Sequence, residues 1–403
     1  ELYRRTTELP DTYLDASFAA LPYALDTKSA RDMMENELAI WNRTGSELLN
    51  GWVQLPSGVF PGMTPSLAQR LGTQGSNSIK ENPATTFIRA MPTRQLHIAA
   101  GNAPGIPVIS AVRAILTKSA GVVKAPYGTT LPGALLSLAL ASALPNHPII
   151  QNLSIVYWQG GDESIEHTLF RLNAFDRIIV WGAPEAVASV QSRTLFTKTI
   201  CFNPRYGISM VGREAFSDDL QAVAFKAATD SMIYNQKACN ASLIHYVEGT
   251  PEQVNSYANI LSKILDQWDT LAPQFVSTFA RGQLKRMQRG KYSRAHWHVN
   301  SKERDFTSGV IVASDEFDIM DHPMSRLIVV RRVDDLADTL NRLNQSVSTV
   351  GIYPEERRLH LRDSIAARGV SSVLPLGQCE RMFSGMPNDG MMVLNQLIDW
   401  KTA

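Results

Sequence analysis

The sequence predicts a two-domain α/β protein built on mainly parallel sheets, on three observations. From Gln95 onward, short apolar runs of strand length alternate with segments of helix length. The chain has 403 residues, against about 100–200 per domain. With 44% hydrophobic and 19% charged residues, it has the material for several buried layers and none of the bias of a disordered or fibrous chain.

Residues 1 to about 90 read as helical at first, with candidates at Leu14–Leu25 and Ser29–Leu49. The Pro-, Gly- and Ser-rich stretch from Pro56 to Pro83 then reads as a long surface connection. Gln95–Ala100 is a strand, Gly101–Pro107 a loop, Val108–Lys118 a helix and Gly121–Lys124 a strand, which makes a βαβ unit. Leu131–Leu144 is a helix, Leu153–Trp158 a strand, Glu163–Arg171 a helix and Arg177–Trp181 a strand. Pro184 stands where a first-turn proline opens the helix Glu185–Val190. The second half supplies strands at Ile208–Val211, Val310–Ala313, Leu327–Val333 and Thr349–Tyr353, with helices at Ser217–Met232 and Pro251–Leu265.

Lys and Arg number 39 against 38 Asp and Glu, so the chain lacks the overall basic field of a non-specific nucleic-acid binder. The only cysteines are Cys201, Cys239 and Cys379, with no CxxC pair. Such sparse usage argues against a disulfide framework or a thiolate zinc site and for a reducing cytoplasm. The most apolar stretch, Leu131–Leu144, is too short to span a bilayer. The first residue is Glu1 rather than Met, which leaves room for an upstream segment.

Gly-x-Gly-x-x-Gly, the P-loop and the nucleophile elbow are absent. The turn Gly182-Ala183-Pro184-Glu185 ends a strand and opens a helix, the setting in which backbone N–H groups meet a phosphate; every α/β protein also has such turns for structural reasons. Cys239 sits in the polar stretch Tyr234–Ala241. Lys237 and the dipole of a helix expected to start near Asn240 would lower its pKa; a buried inert thiol is the competing reading. The densest basic run, Arg281 to Arg304 with His296, Trp297 and His298, reads either as a solvated face or as a docking surface for an anionic partner. His296 and His298 have no third metal ligand in view.

Gly101-Asn102-Ala103-Pro104-Gly105, Val123-Lys124-Ala125-Pro126, Val180-Trp181-Gly182-Ala183 and Asn235-Gln236-Lys237-Ala238-Cys239 stand in the order of the Asn loop, nucleotide Lys, Gly turn and nucleophilic Cys of the aldehyde dehydrogenase superfamily. Within it, His97–Lys118, Ser154–Trp158 and the late Pro387-Asn388-Asp389-Gly390 resemble the acyl-CoA reductase family typified by the fatty acid reductase of bacterial luminescence (LuxC-like).

The resemblance implies an aldehyde dehydrogenase-like fold: residues 91–207 as nucleotide-binding domain, 208–385 as catalytic domain, 386–403 returning to the first domain, and 1–90 as part of it. It implies NADPH-dependent reduction of an acyl-CoA or carrier-bound acyl thioester to an aldehyde, with Cys239 as nucleophile and Asn102 as oxyanion donor. Lys124, Tyr127, Gly182 and Ala183 would hold the cofactor. Tyr127 stands where NAD-preferring relatives often carry Glu, which favours NADPH. The segment Asn203–Ser209, where the superfamily has an acidic base, holds no carboxylate, as suits an enzyme that must not hydrolyse its acyl-enzyme. The second acidic position of the superfamily aligns near Asp321-His322-Pro323. The reading includes no nucleic acid and no membrane span, and admits a homo-oligomer. Two rivals stand beside it: an acyltransferase or thioesterase pairing Cys239 with a His such as His245, and an inactive carrier-binding scaffold.

Overall fold

Strand-forming runs rich in Val and Ile, separated by helices long enough to cross a sheet face, leave parallel pairing as the natural outcome. The structure, a computed structural model, describes residues 9–55, 86–302, 305–381 and 384–403; the Pro56–Pro83 connection lies outside them.

The N-terminal helices are Asp11–Ala24, Thr27–Leu38 and Gly45–Asn50. The helix expected over Ser29–Leu49 is therefore two. It breaks where Trp41 and Asn42 take left-handed φ of 46° and 59°, and restarts on a capping box between Thr44 and Glu47. Strand β1 (Val53–Gln54) pairs with β2 (Phe87–Met91).

Next come β3 (Arg94–Ile98), the helix Ile106–Leu116, β4 (Ala120–Lys124), the helix Thr130–Ala143, β5 (Leu153–Val156), the helix Glu163–Leu169, β6 (Arg177–Trp181), the helix Pro184–Arg193 and β7 (Lys198–Phe202). They form a five-stranded sheet in the order β5-β4-β3-β6-β7, parallel at every junction. The order reverses between β3 and β6, so their carboxyl ends, Ile98 and Trp181, flank the crevice where open α/β sheets bind ligands.

The second half is a seven-stranded sheet, β10-β11-β12-β9-β8-β13-β14. Its strands are β8 (Tyr206–Val211), β9 (Ser242–Glu248), β10 (His296–Lys302), β11 (Asp305–Val312), β12 (Leu327–Val333), β13 (Val347–Tyr353) and β14 (Ser372–Pro375). Only β10, at one edge, runs antiparallel to its neighbour. Helices Leu220–Ser231 and Pro251–Leu271 share one apolar cluster with the sheet. Helices Thr278–Arg289 and Glu355–Ala366 share another. The longest of them opens on a Thr250–Gln253 capping box with Pro251 at its first position. It buries Val254, Tyr257, Ala258, Leu261 and Leu265 along one face, each large side chain worth about 1.5–3 kcal/mol.

The chain then returns. After the short helix Val393–Leu397, β15 (Asp399–Thr402) pairs antiparallel with β2 and completes a three-stranded sheet. Among the described residues no helix is long and apolar enough to cross a membrane.

Candidate active site

Two loops meet, one leaving β3 in the five-stranded sheet and one leading into β9 of the seven-stranded sheet. The first leaves β3. Ala99 N–H donates to the Lys124 carbonyl at 3.0 Å, and the chain turns through Gly101–Gly105 into the helix opened by Pro107. Asn102 Nδ2 donates to the Lys237 carbonyl at 2.9 Å, across 135 positions of sequence. Its Oδ1 is buried without a hydrogen-bond partner. Asn102 and the segment ending in Cys239 are thus brought together.

The second loop is held under backbone strain. Tyr234, Asn235 and Gln236 all lie in the left-handed region, with φ of 45°, 58° and 65°, a conformation that persists only where surroundings enforce it. Here the enforcement is explicit. Gln236 Nε2 donates to the Leu327 carbonyl at 2.7 Å, and Leu327 N–H donates back to Gln236 Oε1 at 3.1 Å. Asn235 Nδ2 donates to Gln274 Oε1 at 2.8 Å. Asn235 Oδ1 accepts from Arg326 Nε at 2.5 Å. Arg326 is 0% exposed, paired with Asp269 at 2.6 Å and donating to the Ala272 carbonyl at 2.7 Å.

Past this turn, Ser348 Oγ donates to the Cys239 carbonyl, and Asn240 Nδ2 donates to the Cys379 carbonyl at 2.7 Å. The loop crosses the start of β8 so closely that a Cβ on Gly207 would stand 2.4 Å from the Asn240 carbonyl oxygen, so no other residue fits there.

The expected helix near Asn240 is not there. The chain enters β9 at Ser242 instead, so no helix dipole lowers the Cys239 pKa. Burial pushes the thiol up to about 11, the Asp389 charge adds to this, and Arg205 with the backbone N–H groups of Cys239 and Asn240 only partly opposes it. The resting sulfur is a thiol at neutral pH, not the ready thiolate the polar sequence suggests. Burial raises Cys201 as well. Cys379 is buried and raised by burial and by Asp230.

His245, the base of the rival reading, is fully buried in β9 with both ring nitrogens taken, by Ser231 Oγ and Tyr257 Oη at 2.8 Å each. Burial pushes its pKa down to about 3. Neither nitrogen is left for Cys239. Asp321 accepts from Tyr292 Oη at 2.8 Å, and burial holds His322 down at about 4. The His296 and His298 rings stack at 4.5 Å on the edge strand.

At the carboxyl end of the five-stranded sheet, Lys124 ends β4 with Nζ 5.3 Å from the Trp158 ring centre. Desolvation lowers its pKa and the charge of Glu166 opposes this. Glu166 itself is lowered: burial would raise it, but hydrogen bonds from Trp158, Arg193 and Gly161 prevail. The acid whose charge acts on Lys124 is thus Glu166, engaged by Arg193 at 2.6 Å; it comes from forty-two positions downstream, outside the motif. Tyr127 is 72% exposed, its ring 6.1 Å from that of Tyr157. Ala183 is the N-cap of the helix Pro184–Arg193 and gives it no side-chain cap. The N–H groups of that first turn are open to an anionic ligand. Gly182 packs so closely that a Cβ there would come within 3.3 Å of Ala186 Cβ. A half-buried cation at one strand end and an uncapped helix at another fit a dinucleotide carrying phosphates.

Solved structures share this fold. NADP-dependent glyceraldehyde-3-phosphate dehydrogenase from Bacillus halodurans, solved with NADP, superposes with a TM-score of 0.69 at 12% identity, covering 100% of this chain and 81% of that one. Aldehyde dehydrogenase 21 from Physcomitrella patens superposes at 0.63, also at 12% identity, covering 98% and 89%. The fold is that of the aldehyde dehydrogenases. The profile of the family Acyl-CoA reductase (LuxC) matches residues 75–400, and the chain belongs to that family. The long-chain acyl-protein thioester reductase of Aliivibrio fischeri is 27% identical over 315 residues, 77% of this chain and 64% of that protein. That of Vibrio harveyi is 25% identical over 316 residues, again 77% and 64%. The chain thus spans a little under two thirds of the length of these relatives.

Arg205, Asp269 and Arg326 are absent from the residues that the sequence singles out for a function, and Asp389 enters there only as family wording. An Arg immediately before an apolar strand, as at Arg326-Leu327, is the available signal for a buried ion pair.

Proposed function

We propose that this chain reduces an acyl thioester to an aldehyde through an acyl-Cys239 intermediate, with NADPH as electron donor. The observation that carries the reading is the Asn102–Lys237 bond, which holds a side-chain amide beside the Cys239 loop. The activity named for the relatives supports it. Residues 91–207 would bind the nucleotide, 208–385 would carry the nucleophile, and 386–403 would complete the first domain.

In this reading Cys239 Sγ attacks the thioester carbonyl, the donor thiol leaves, and the acyl group remains on the protein. Asn102 and the backbone N–H of Cys239 stabilise the oxyanion. Lys124, Tyr127, Gly182 and Ala183 would hold the dinucleotide, whose nicotinamide would supply hydride when bound. The absence of a carboxylate in Asn203–Ser209 keeps water idle. The donor is acyl-CoA or an acyl carrier protein. Arg286 and Arg289 are exposed on the helix Thr278–Arg289, a face suited to an acidic carrier. Three cysteines, all free, suit a reducing cytoplasm.

NADPH oxidation measured against a panel of acyl-CoA and acyl-carrier substrates, with aldehyde trapped as product, tests the function. No oxidation with any thioester ends it, and nucleotide-independent thioester hydrolysis favours the acyltransferase or thioesterase instead.

Asn102→Ala is expected to slow acylation and reduction by about 10²–10³ at nearly unchanged NADPH affinity, because the oxyanion develops only on the way to the transition state. Single-turnover acylation at the wild-type rate removes Asn102 from the mechanism.

Lys124→Ala is expected to weaken NADPH binding more than NADH binding, since only NADPH carries a 2′-phosphate for the ammonium. Tyr127→Glu is expected to move preference toward NADH by repelling that phosphate. Titration of both nucleotides by calorimetry decides; equal losses for Lys124→Ala take away the basis for an NADPH preference.

A further inference from the structure

We propose that Trp158 is the positioning residue for Lys124: the face of its indole fixes where the ammonium stands, and contacts through Glu166 and Arg193 fix the indole. The proposal rests on the reading of Lys124 as the cation that meets the 2′-phosphate of NADPH, and names what aims it.

The arrangement begins in the sheet. β4 and β5 pair in parallel with Lys124 opposite Val156, and Ala125 N–H extends the ladder to the Val156 carbonyl at 2.9 Å. Lys124 is the last residue of β4, and the chain leaving β5 reaches Trp158 two residues after Val156. There the Lys124 ammonium stands over the Trp158 ring, 5.3 Å from its centre. A cation within about 6 Å of an indole face is attracted by the ring quadrupole, more strongly where water is excluded. Trp158 is only 5% exposed.

The indole is itself held on two sides. Its body belongs to the apolar cluster of Leu96, Phe170, Ile178 and Val180. Its Nε1 donates to Glu166 Oε1 at 3.1 Å, and Gly161 N–H donates to the same oxygen at 3.2 Å. The other oxygen of Glu166 accepts from Arg193 Nη2 at 2.6 Å. The Arg193 guanidinium lies over the Phe170 ring at 4.7 Å, and its Nε donates to the Ser189 carbonyl at 3.1 Å. With both oxygens engaged and the residue buried, Glu166 serves the indole rather than a ligand.

The consequence is preorganisation. A lysine head on a flexible four-carbon stem loses rotamer freedom when a ligand fixes it, and a site that fixes it beforehand loses less on binding. Arg193 also ends the helix whose first turn, at Ala183 and Pro184, is open to phosphate. One strut of side chains thus joins that helix to the Lys124 ammonium. The Glu166 charge works in the same direction, since it opposes the desolvation that disfavours the ammonium.

Calorimetric titration with NADPH and with NADH compares two ligands that differ by one phosphate on the same protein. A loosened domain lowers both affinities, whereas a misplaced ammonium lowers one. Trp158→Leu is expected to weaken NADPH binding about three- to tenfold and NADH binding less than about twofold. Trp158→Phe, which restores a ring face, is expected to recover most of the loss. In the Lys124→Ala background, Trp158→Leu is expected to change the NADPH-to-NADH ratio no further, because the two residues act as a unit. A spectroscopic readout leaves the buried indole in place. In protein labelled with fluorotryptophan, the fluorine resonance that Trp158→Phe deletes is that of Trp158, and Lys124→Ala is expected to shift it without any nucleotide present. An unmoved resonance, equal losses of both nucleotides in Trp158→Leu, no recovery in Trp158→Phe, or a further change of the ratio in the double variant overturns the proposal. Equal losses in Lys124→Ala overturn the reading beneath it; the fluorine shift does not depend on that reading, so the two failures are told apart.

Discussion

Cys239→Ala is expected to lose covalent acylation and aldehyde formation altogether, while Cys201→Ala and Cys379→Ala keep both. The carbonyl and flanking residues of Cys239 are tied to Ser348 and Cys379 and its thiol is met by backbone N–H groups, a set-up neither of the other two sulfurs has. Cys201 lies in β7, within the five-stranded sheet. Cys379 is buried beside Asp230, whose charge disfavours a thiolate. Mass spectrometry of protein incubated with an acyl-CoA locates the adduct. An adduct that survives in Cys239→Ala sinks the assignment.

Arg326→Ala is expected to cost about 3–5 kcal/mol of folding stability, the range for deleting one partner of a buried ion pair. Both groups of the pair are essentially sealed from water, at 0% and 2% exposure. Without the guanidinium, Asp269 keeps Ser308 Oγ as a donor but has no counter-charge, and Asn235 Oδ1 loses its partner. Replacing both partners by apolar residues, Asp269→Leu with Arg326→Met, removes the stranded charge and is expected to recover most of the loss. The left-handed turn at Asn235 would still be unsupported, so Cys239 alkylation is expected to remain abnormal in the double variant. Urea unfolding midpoints give the first quantity; a single-variant loss under about 1 kcal/mol contradicts the account.

What is legible in the sequence is what local chemistry dictates. Arg177–Trp181 reads as a strand from its Ile-Ile-Val run, and the structure gives the same bounds. Pro184 marks the helix start on both readings. The strand β9 escapes a sequence reading because Ser242, His245 and Glu248 interrupt its apolar pattern. Yet all seven of its residues are buried, and the polar ones find partners, such as Ser209 Oγ for Ser242 Oγ, only in the tertiary fold. The helix expected over Ser29–Leu49 is too long although Thr44-Gly45-Ser46-Glu47 spells a capping box. The candidate site is legible as motifs but not as electrostatics. A polar stretch around Cys239 suggests a low pKa, whereas burial and a carboxylate 150 positions further on set a high one. Long-range charges leave no mark in a local window.

The hydrogen bond from Asn102 to the Lys237 carbonyl also has a dynamic meaning, because it clasps the loop leaving one sheet to the loop entering the other. Any motion that parts these two loops must first unfasten it. A net contribution of about 0.5–1.5 kcal/mol makes such a clasp worth roughly a two- to tenfold bias toward the closed arrangement. That is enough to keep the clasped arrangement dominant and small enough to let it open readily.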